Sequence, residues 1–254
     1  MRISVIVFSA SMLYASLATA DVKETEEFSY EINSGGRISL ENINGDVKIS
    51  GGNDGKVQVI AHKKAGSQEY MDGLKVVIDA DSEYIRIETK HPKSSGDHWY
   101  NKGNNRSGSI TYELKVPSAI DLDTISTVNG DLQISLVSGK VKAETVNGSL
   151  DVRDLAADVN LETVNGSIEA YFETLGGGQR VSADTVNGKI VLFIPADSSA
   201  TVNAETLNGS IKADDFGLEA DKGFIGRDLD GQIGAGEARI SLDTVNGSIR
   251  LKKK

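Results

Sequence analysis

The sequence contains no cysteine, only three prolines and only three histidines among its 254 residues. Without cysteine it has no disulfides, no thiolate metal ligands and no cysteine nucleophile. It also has no Ser-His-Asp spacing, no phosphate-binding glycine loop and no zinc-ligand pattern. The fold must therefore be held together by packing and backbone hydrogen bonds, and the commonest catalytic motifs are missing.

Long apolar runs are also scarce, and the one that exists stands at the start of the chain. Arg2 precedes an uncharged apolar run over residues 3–17, which ends in Ala18-Thr19-Ala20. A basic start, an apolar core and a small-x-small ending are typical of a secretory signal peptide, so we expect residues 1–20 to be removed after Ala20. A membrane anchor is the alternative, but the run is shorter than the roughly 20 residues that a spanning helix needs. We therefore expect an exported protein, periplasmic or at the cell surface or secreted, with no membrane span after cleavage.

Basic residues are outnumbered, with 27 Lys and Arg against 37 Asp and Glu and a net charge of −10. Nucleic-acid phosphates require a basic binding face, so the charge argues against a nucleic-acid partner. The terminal Lys252-Lys253-Lys254 is too short to reverse this balance.

What the chain does have is a repeated phrase, seen in its full form at Thr163-Val164-Asn165-Gly166-Ser167-Ile168. The Asn-Gly pairs from Asn129 onward are spaced by 18, 18, 22, 21 and 38 residues, and the last gap is about two periods with Leu229 to Ile233 as a degenerate copy inside it. Self-similarity at this spacing indicates stacked β-coils. The Asn-Gly pairs, which we interpret as structural turns, are Asn44-Gly45, Asn129-Gly130, Asn147-Gly148, Asn165-Gly166, Asn187-Gly188, Asn208-Gly209 and Asn246-Gly247.

Around each Asn, apolar residues recur six and four positions before it and three and five positions after it. These columns alternate with polar ones, as strands with one buried face require. Two architectures fit: a meander in which every Asn-Gly is a tight hairpin turn, and a parallel solenoid in which equivalent residues stack. The meander gives no reason for the same residues to recur one turn later. We therefore predict an all-β, parallel β-solenoid with about 18–22 residues per coil, in which glycine supplies a positive φ at each corner.

The part of the chain before the regular array has a looser pattern. Alternating strands without a strict repeat occupy residues 21–116, and residues 67–72 are compatible with one helical turn. A polar loop at residues 91–107 interrupts the rhythm. We expect an irregular all-β N-terminal portion at 21–116 that continues into a solenoid repeat region at 117–254.

These features resemble a family of exported bacterial β-strand-repeat proteins that are described as candidate adhesins or as a domain of unknown function. The resemblance is carried by the export signal, the Val116-Pro117 step, the repeated Thr-Val-Asn-Gly-Ser-Ile phrase and the ending from Gly231 to Leu251. It covers roughly residues 35 to 251. It implies the solenoid fold and an adhesive role, but no catalytic motif.

An acidic column stands three positions before each Asn. Stacked coils would bring its carboxylates within about 5 Å of one another, which could collect Ca²⁺. The alternative is a solvated face interspersed with Lys and Arg, and no calcium-binding Gly-Gly-x-Gly-x-Asp repeat is present, so we predict no metal and no cofactor. The members of the column are Glu41, Ser126, Glu144, Glu162, Asp184, Glu205 and Asp243.

Three other groups of residues are candidate sites. Asp151, Glu169 and Asp184 could serve as paired carboxylates in a polysaccharide-cleaving β-helix, but recurrence within a repeat favours a structural role. His91, Asp97 and His98 share one loop and could be imagined as a metal site, although a surface histidine pair is the simpler interpretation. Trp99 and Tyr100, exposed aromatics on the same loop, are either contacts for a sugar or protein ligand or a cap over the end of the solenoid.

The sequence thus predicts an exported, non-catalytic β-repeat protein that acts as an adhesin or an envelope scaffold. A glycan or a protein of the cell envelope would be its partner. The alternative is a periplasmic accessory module that recognises one protein partner, for example by adding a strand to an open end. A polysaccharide-active enzyme is the third and weakest interpretation.

Overall fold

A computed structural model describes residues 21–52, 55–92, 107–223 and 226–254. The predicted signal peptide and the loop residues Asp97, His98, Trp99 and Tyr100 lie outside these ranges. Among the described residues, no helix has the length and hydrophobicity that a membrane crossing requires.

Strands dominate the described chain. The strands are β1 (Val22–Glu31), β2 (Arg37–Glu41), β3 (Val47–Gly52), β4 (Lys56–Ala65), β5 (Lys75–Ala80), β6 (Tyr84–Lys90), β7 (Gly108–Pro117), β8 (Asp121–Asn129), β9 (Leu132–Ser135), β10 (Val141–Asn147), β11 (Leu150–Leu155), β12 (Val159–Asn165), β13 (Ile168–Phe172), β14 (Arg180–Asn187), β15 (Ile190–Ile194), β16 (Ala200–Lys212), β17 (Arg227–Ile233) and β18 (Ala238–Lys253). The expected helical turn is α1 (Gln68–Gly73), whose first turn is capped by the Ser67 hydroxyl accepting from the backbone N–H of Tyr70. A 3-10 turn follows β16 at Asp214–Phe216.

Each regular coil contributes one strand before its Asn-Gly corner and one after it. We call the strands before the corner the first flank, which in spatial order is β5, β6, β2, β8, β10, β12, β14, β18, β16, β17. The strands after the corner form the second flank, in the order β1, β4, β7, β3, β9, β11, β13, β15, β18, with the end of β16 beside β18. β16 and β18 run through the corner and belong to both flanks.

The pairings between the coils that carry the Asn-Gly corners are parallel, with equivalent residues opposite one another, which confirms the solenoid and excludes the meander. Antiparallel pairings occur at β1, β4, β5 and β17. Val141 pairs with Val159, and Val159 with Val181, so equivalent residues stack from coil to coil. The side chains between the two flanks are aliphatic and almost fully buried, for example Leu161 and Ile168 at 0 % exposure. Burying such a side chain stabilises the fold by about 1.5–3 kcal/mol, so the two apolar stripes per coil hold the flanks together.

The order of coils along the axis differs from their order in the chain. β18 pairs in parallel with β14 on one side and with β16 on the other, so the last coil is inserted between two earlier ones. At the other end, β2 likewise lies between β6 and β8. The prediction that Leu229 to Ile233 is a degenerate coil was wrong, because β17 pairs antiparallel with β16 and ends the first flank. The 38-residue gap between Asn208 and Asn246 thus contains β17, which pairs with one edge of β16. The chain then returns as β18, which lies between β14 and β16.

The corner itself is held by two kinds of side-chain hydrogen bond. The side-chain amide of each Asn donates to the carboxamide oxygen of the neighbouring Asn, as Asn165 does to Asn147 at 3.0 Å and Asn187 does to Asn165 at 2.9 Å. The buried Thr two positions before the Asn donates to the glycine carbonyl of the adjacent coil, as Thr163 does to Gly148 at 2.9 Å. The backbone polar groups of the corner are therefore satisfied along the stack rather than within one coil.

The role of the corner glycines differs from our expectation. Only Gly45, at φ 120°, has a positive φ among the seven corner glycines. The others are required because the next coil lies directly against them: a Cβ on Gly166 would stand 1.8 Å from the carbonyl oxygen of Gly148. Close backbone approach, not conformational freedom, selects glycine at these positions.

The change Gly166→Ala tests this account. The clash is with the backbone of Gly148 and Ser149 on the neighbouring coil, which cannot move aside as a flexible side chain could. We therefore expect a loss of about 3 kcal/mol or more, which lowers Tm by roughly 6–12 °C. The matched control is Gly55→Ala, where a Cβ meets nothing within 4 Å and φ is not positive. We expect that change to leave Tm nearly unaltered in thermal unfolding followed by circular dichroism. An equal, small effect of both changes would contradict the close-approach explanation.

Candidate functional site

The outer surface of the first flank carries an apolar column next to the corner. The residue before each corner Asn points outward because it alternates with the buried Thr. Each of these side chains keeps between 37 % and 53 % of its surface exposed. In spatial order the valine column is Ile43, Val128, Val146, Val164, Val186, Val245 and Leu207.

The acidic column predicted from the sequence lies two residues earlier on the same outer face. Register pairing extends it at both ends, because Glu88 pairs with Glu41 and Asp228 pairs with Glu205. In spatial order the carboxylate column is Glu88, Glu41, Ser126, Glu144, Glu162, Asp184, Asp243, Glu205 and Asp228.

A groove of about 960 Å³ runs between the two columns, with the threonine column along its floor. One wall is apolar and the other is anionic, and both repeat at the strand spacing of about 4.8 Å. We call this feature the valine–carboxylate groove. A second groove of about 920 Å³ lies nearer the start of the same strands, and charges of both signs line it, including Arg180, Asp158 and Lys140.

The carboxylates of the groove are neutralised unevenly. Near one end, Arg86 pairs with Glu41 at 3.0 Å and Lys142 with Glu144 at 2.8 Å. Farther along, Glu162 and Asp184 accept only from neutral donors, the amide of Asn160 at 2.9 Å and the hydroxyl of Ser182 at 3.0 Å. Asp243 likewise accepts from the Ser241 hydroxyl at 3.3 Å. Within the described part of the chain, none of Glu162, Asp184, Asp243 and Glu205 has a basic side chain within ion-pair distance, although the charge of Lys142 also acts on Glu162.

Asp184 is the carboxylate most affected by this arrangement. Burial raises the pKa of Asp184, and the negative charges of Asp243 and Glu162 raise it further, although the Ser182 hydrogen bond opposes the shift. Across the described ranges, no three His, Asp or Glu side chains converge as a metal centre would require. The groove is therefore a line of charge along the stack rather than a coordination sphere.

Of the three carboxylates considered for catalysis, the structure brings only two together: Asp151 and Glu169 are register partners on β11 and β13. Asp151 is held by Arg153 through hydrogen bonds of 2.8 and 3.0 Å, and Glu169 accepts from the Tyr171 hydroxyl. Both lie on the second flank, whereas Asp184 lies on the first, across the hydrophobic core. Asp184 therefore cannot act with the other two on one glycosidic bond, and Asp151 and Glu169 are already engaged by Arg153 and Tyr171.

The second flank contains an aromatic stack that the sequence analysis missed. The rings of Tyr171 and Phe193 stack with centroids 4.3 Å apart and planes 2° apart. Arg153 covers the free face of Tyr171 at 4.4 Å, and Lys252 covers that of Phe193 at 5.8 Å. All four stand six positions after a corner Asn, so alignment on the repeat could have found them. Because every ring face is covered, the stack stabilises the flank and offers no open platform to a sugar ring.

The described histidines do not form a site. His62 lies 3.9 Å from Glu113 on the second flank and also contacts the Thr25 hydroxyl. His91 contacts the Tyr70 hydroxyl at 3.0 Å, and burial lowers the pKa of His91.

The Toastrack DUF4097 family matches residues 38–252 of the chain. The chain belongs to this family. This confirms the resemblance seen in the repeats, and the solenoid is the fold that the family shares.

The chain is also similar to solved structures. A candidate cell adhesion protein of Clostridium sporogenes is 15 % identical, with a TM-score of 0.50, over 91 % of this chain and 100 % of its own. A candidate adhesin of Bacteroides fragilis is 12 % identical, with a TM-score of 0.45, over 89 % of this chain and 96 % of its own. Comparison with curated proteins finds no match. At 15 % identity the likeness to the Clostridium protein shows the fold alone. Neither the family description nor the names of these two proteins include an enzymatic activity.

The crowding of carboxylates predicts a pH-dependent gain from Asp184→Asn. Because the folded-state pKa of Asp184 is raised, its ionisation costs stability at neutral pH, and this cost disappears as the pH falls through the folded pKa toward the ordinary value of 3.8. We expect Asp184→Asn to raise Tm by roughly 1–4 °C at pH 7 and by nothing near pH 4.

The matched control for this prediction is Asp151→Asn on the second flank. It removes an exposed ion pair with Arg153 rather than a repulsion, so we expect no gain at either pH. A destabilising effect of Asp184→Asn at pH 7 would contradict the account, because it would show that the ionised Asp184 does not cost stability in the folded state.

Proposed function

We propose that the protein is an exported, non-catalytic binding protein of the bacterial cell envelope, which holds its partner along the first flank as an adhesin or an envelope scaffold. The observation that carries the proposal is the valine–carboxylate groove, whose walls keep the same chemistry through successive coils. An enzyme concentrates its reactive groups at one place, whereas this groove repeats one environment along its whole length. Such a surface supports extended binding better than catalysis at one bond.

Solenoid stiffness supports this use. The flanks are tied by in-register ladders and by the Asn and Thr hydrogen bonds at each corner, so the groove is formed before a partner arrives. A preformed surface loses little conformational entropy on binding. Exposed apolar columns are also uncommon on soluble proteins unless they contact something.

The alternative of strand addition at an open end is less well supported. The edge strand β1 would be the natural acceptor, since only β4 pairs with it among the described strands. However, β1 carries Glu24, Glu26, Glu27 and Glu31, and charged side chains are a common protection of sheet edges against further pairing. We therefore place binding on the first flank rather than on the ends.

The groove is tested by the triple change Val146→Lys, Val164→Lys and Val186→Lys. These side chains are exposed, so Tm should change by no more than about 3 °C, as surface substitutions usually do. Co-sedimentation of the purified protein with envelope fractions should weaken at least about tenfold, since three apolar contacts near 0.5–1 kcal/mol each are lost. The control is Leu136→Lys, an exposed leucine directly after β9 that lies outside the groove. Wild-type binding by the triple variant would refute the assignment.

The location is tested by protease treatment of intact cells that carry a tagged protein. The adhesin form of the proposal predicts digestion without lysis, while a periplasmic marker stays protected. Protection until the outer membrane is opened would instead favour a periplasmic accessory module. Co-protection with a cytoplasmic marker would contradict both forms.

A further inference from the structure

Building on the proposed use of the first flank, we propose that the partner is a cationic amphipathic polypeptide segment lying along the valine–carboxylate groove. Its apolar side chains contact the valine column, and its lysines or arginines contact the carboxylate column. This deepens the proposed function by naming the chemistry of the partner.

The apolar wall is long enough to bind such a segment. Seven side chains stand in register, each at least 37 % exposed. At about 4.8 Å per strand the column is roughly 29 Å long. Exposed apolar surface in one continuous line is typical of an interaction site rather than of scattered surface residues.

The charged wall specifies the sign of the partner. Glu162, Asp184, Asp243 and Glu205 follow one another in adjacent strands, and none has a basic side chain within ion-pair distance in the described ranges. Arg227, at the end of the groove formed by β17, is the one basic side chain among the described lining residues. Like charges at strand spacing repel one another, so a basic partner would relieve a cost that the free protein carries.

The same charges disfavour the other classes of ligand. Nucleic acids and anionic lipid headgroups would be repelled by the carboxylate column. A neutral glycan would leave the carboxylates unneutralised, and the stacked rings of Tyr171 and Phe193 lie on the second flank with their faces already covered. A small polyamine would match the charge but leave the valine column exposed.

The spacing of the two columns defines the pattern that the segment must carry. Valine and carboxylate stand two residues apart on one strand, about 6.5–7 Å. The segment therefore needs an apolar stripe and a basic stripe side by side along its length, as an amphipathic helix presents them. A helix rises 1.5 Å per residue, so about 19 residues span the 29 Å column.

Three synthetic peptides of 18 residues test the proposal by calorimetric titration into the purified protein. The first is a Leu/Lys peptide with helical amphipathic periodicity, the second is a scramble of the same composition without stripes, and the third replaces Lys by Glu in the first. We expect the first to bind at least tenfold more tightly than the scramble, with affinity falling as salt rises, and the Glu peptide not to bind. Equal binding of the first peptide and its scramble would overturn the proposal, as would absence of binding by the first.

Two sets of variants test whether the Leu/Lys peptide binds in the groove. The neutral isosteres Glu162→Gln, Asp184→Asn and Asp243→Asn, combined, should weaken the Leu/Lys peptide at least tenfold. The matched control is Asp151→Asn with Glu169→Gln, which removes carboxylates from the second flank. Equal loss in both proteins would show attraction to net charge alone and would overturn the assignment to the groove.

These outcomes separate the inference from the proposed function. If the triple valine variant loses envelope binding but the Leu/Lys peptide does not bind, the proposed function stands and the partner chemistry is wrong. If the peptide binds in the groove but the valine variant keeps full envelope binding, the chemistry stands and the proposed envelope role is wrong.

Discussion

The close approach of one glycine corner to the next is the constraint on which the structure depends. A Cβ on any of the corner glycines of coils in contact would fall between 1.6 and 2.3 Å from a backbone carbonyl oxygen, so the coils can stack only with glycine there. With the corners fixed, the Asn amides and Thr hydroxyls come within hydrogen-bond distance of the neighbouring coil. The strands on both sides then have one possible register, since a slip of one residue would turn the buried aliphatic columns to solvent.

The fixed register also determines which side chains lie next to one another on the outer surface, and some of these contacts are unfavourable. Stacking turns each repeated outward residue into a column, which gives hydrogen-bonded ladders for Asn but repulsion for the carboxylates. Burial is the main cause of the raised pKa of Asp184, and the negative charges of Asp243 and Glu162 add to it. Asn160, Ser182 and Ser241 offset the repulsion in part, because each donates to a carboxylate on its own strand. A column that is costly in the free protein but regular along its length is consistent with a surface that binds a complementary partner.

The repeated phrase was sufficient to predict the solenoid, the apolar columns and the acidic column, because each depends only on position relative to the Asn. The aromatic stack was missed because the position six residues after the corner Asn is aromatic only at Tyr171 and Phe193. The stack is therefore not part of the repeated phrase. The apolar wall of the groove was missed because Val164 and its equivalents look like core residues until strand parity places them outside. The spatial order of the coils could not be predicted from the sequence. β16 and β18 carry nearly the same phrase, so either strand would fit beside β14.

That order completes the groove, because β18 supplies Val245 and Asp243 between the contributions of β14 and β16. Disulfide cross-linking tests it most directly, and the absence of native cysteine makes every bridge unambiguous. Adjacent strands bring Cα atoms to about 4.8 Å, whereas strands two apart are roughly 9.6 Å apart, beyond the 7 Å limit for a disulfide. The account predicts that the pair Val186→Cys and Val245→Cys cross-links under mild oxidation and that the pair Val186→Cys and Leu207→Cys does not. Cross-linking of the second pair and not of the first would show that the coils stack in chain order and would contradict the account.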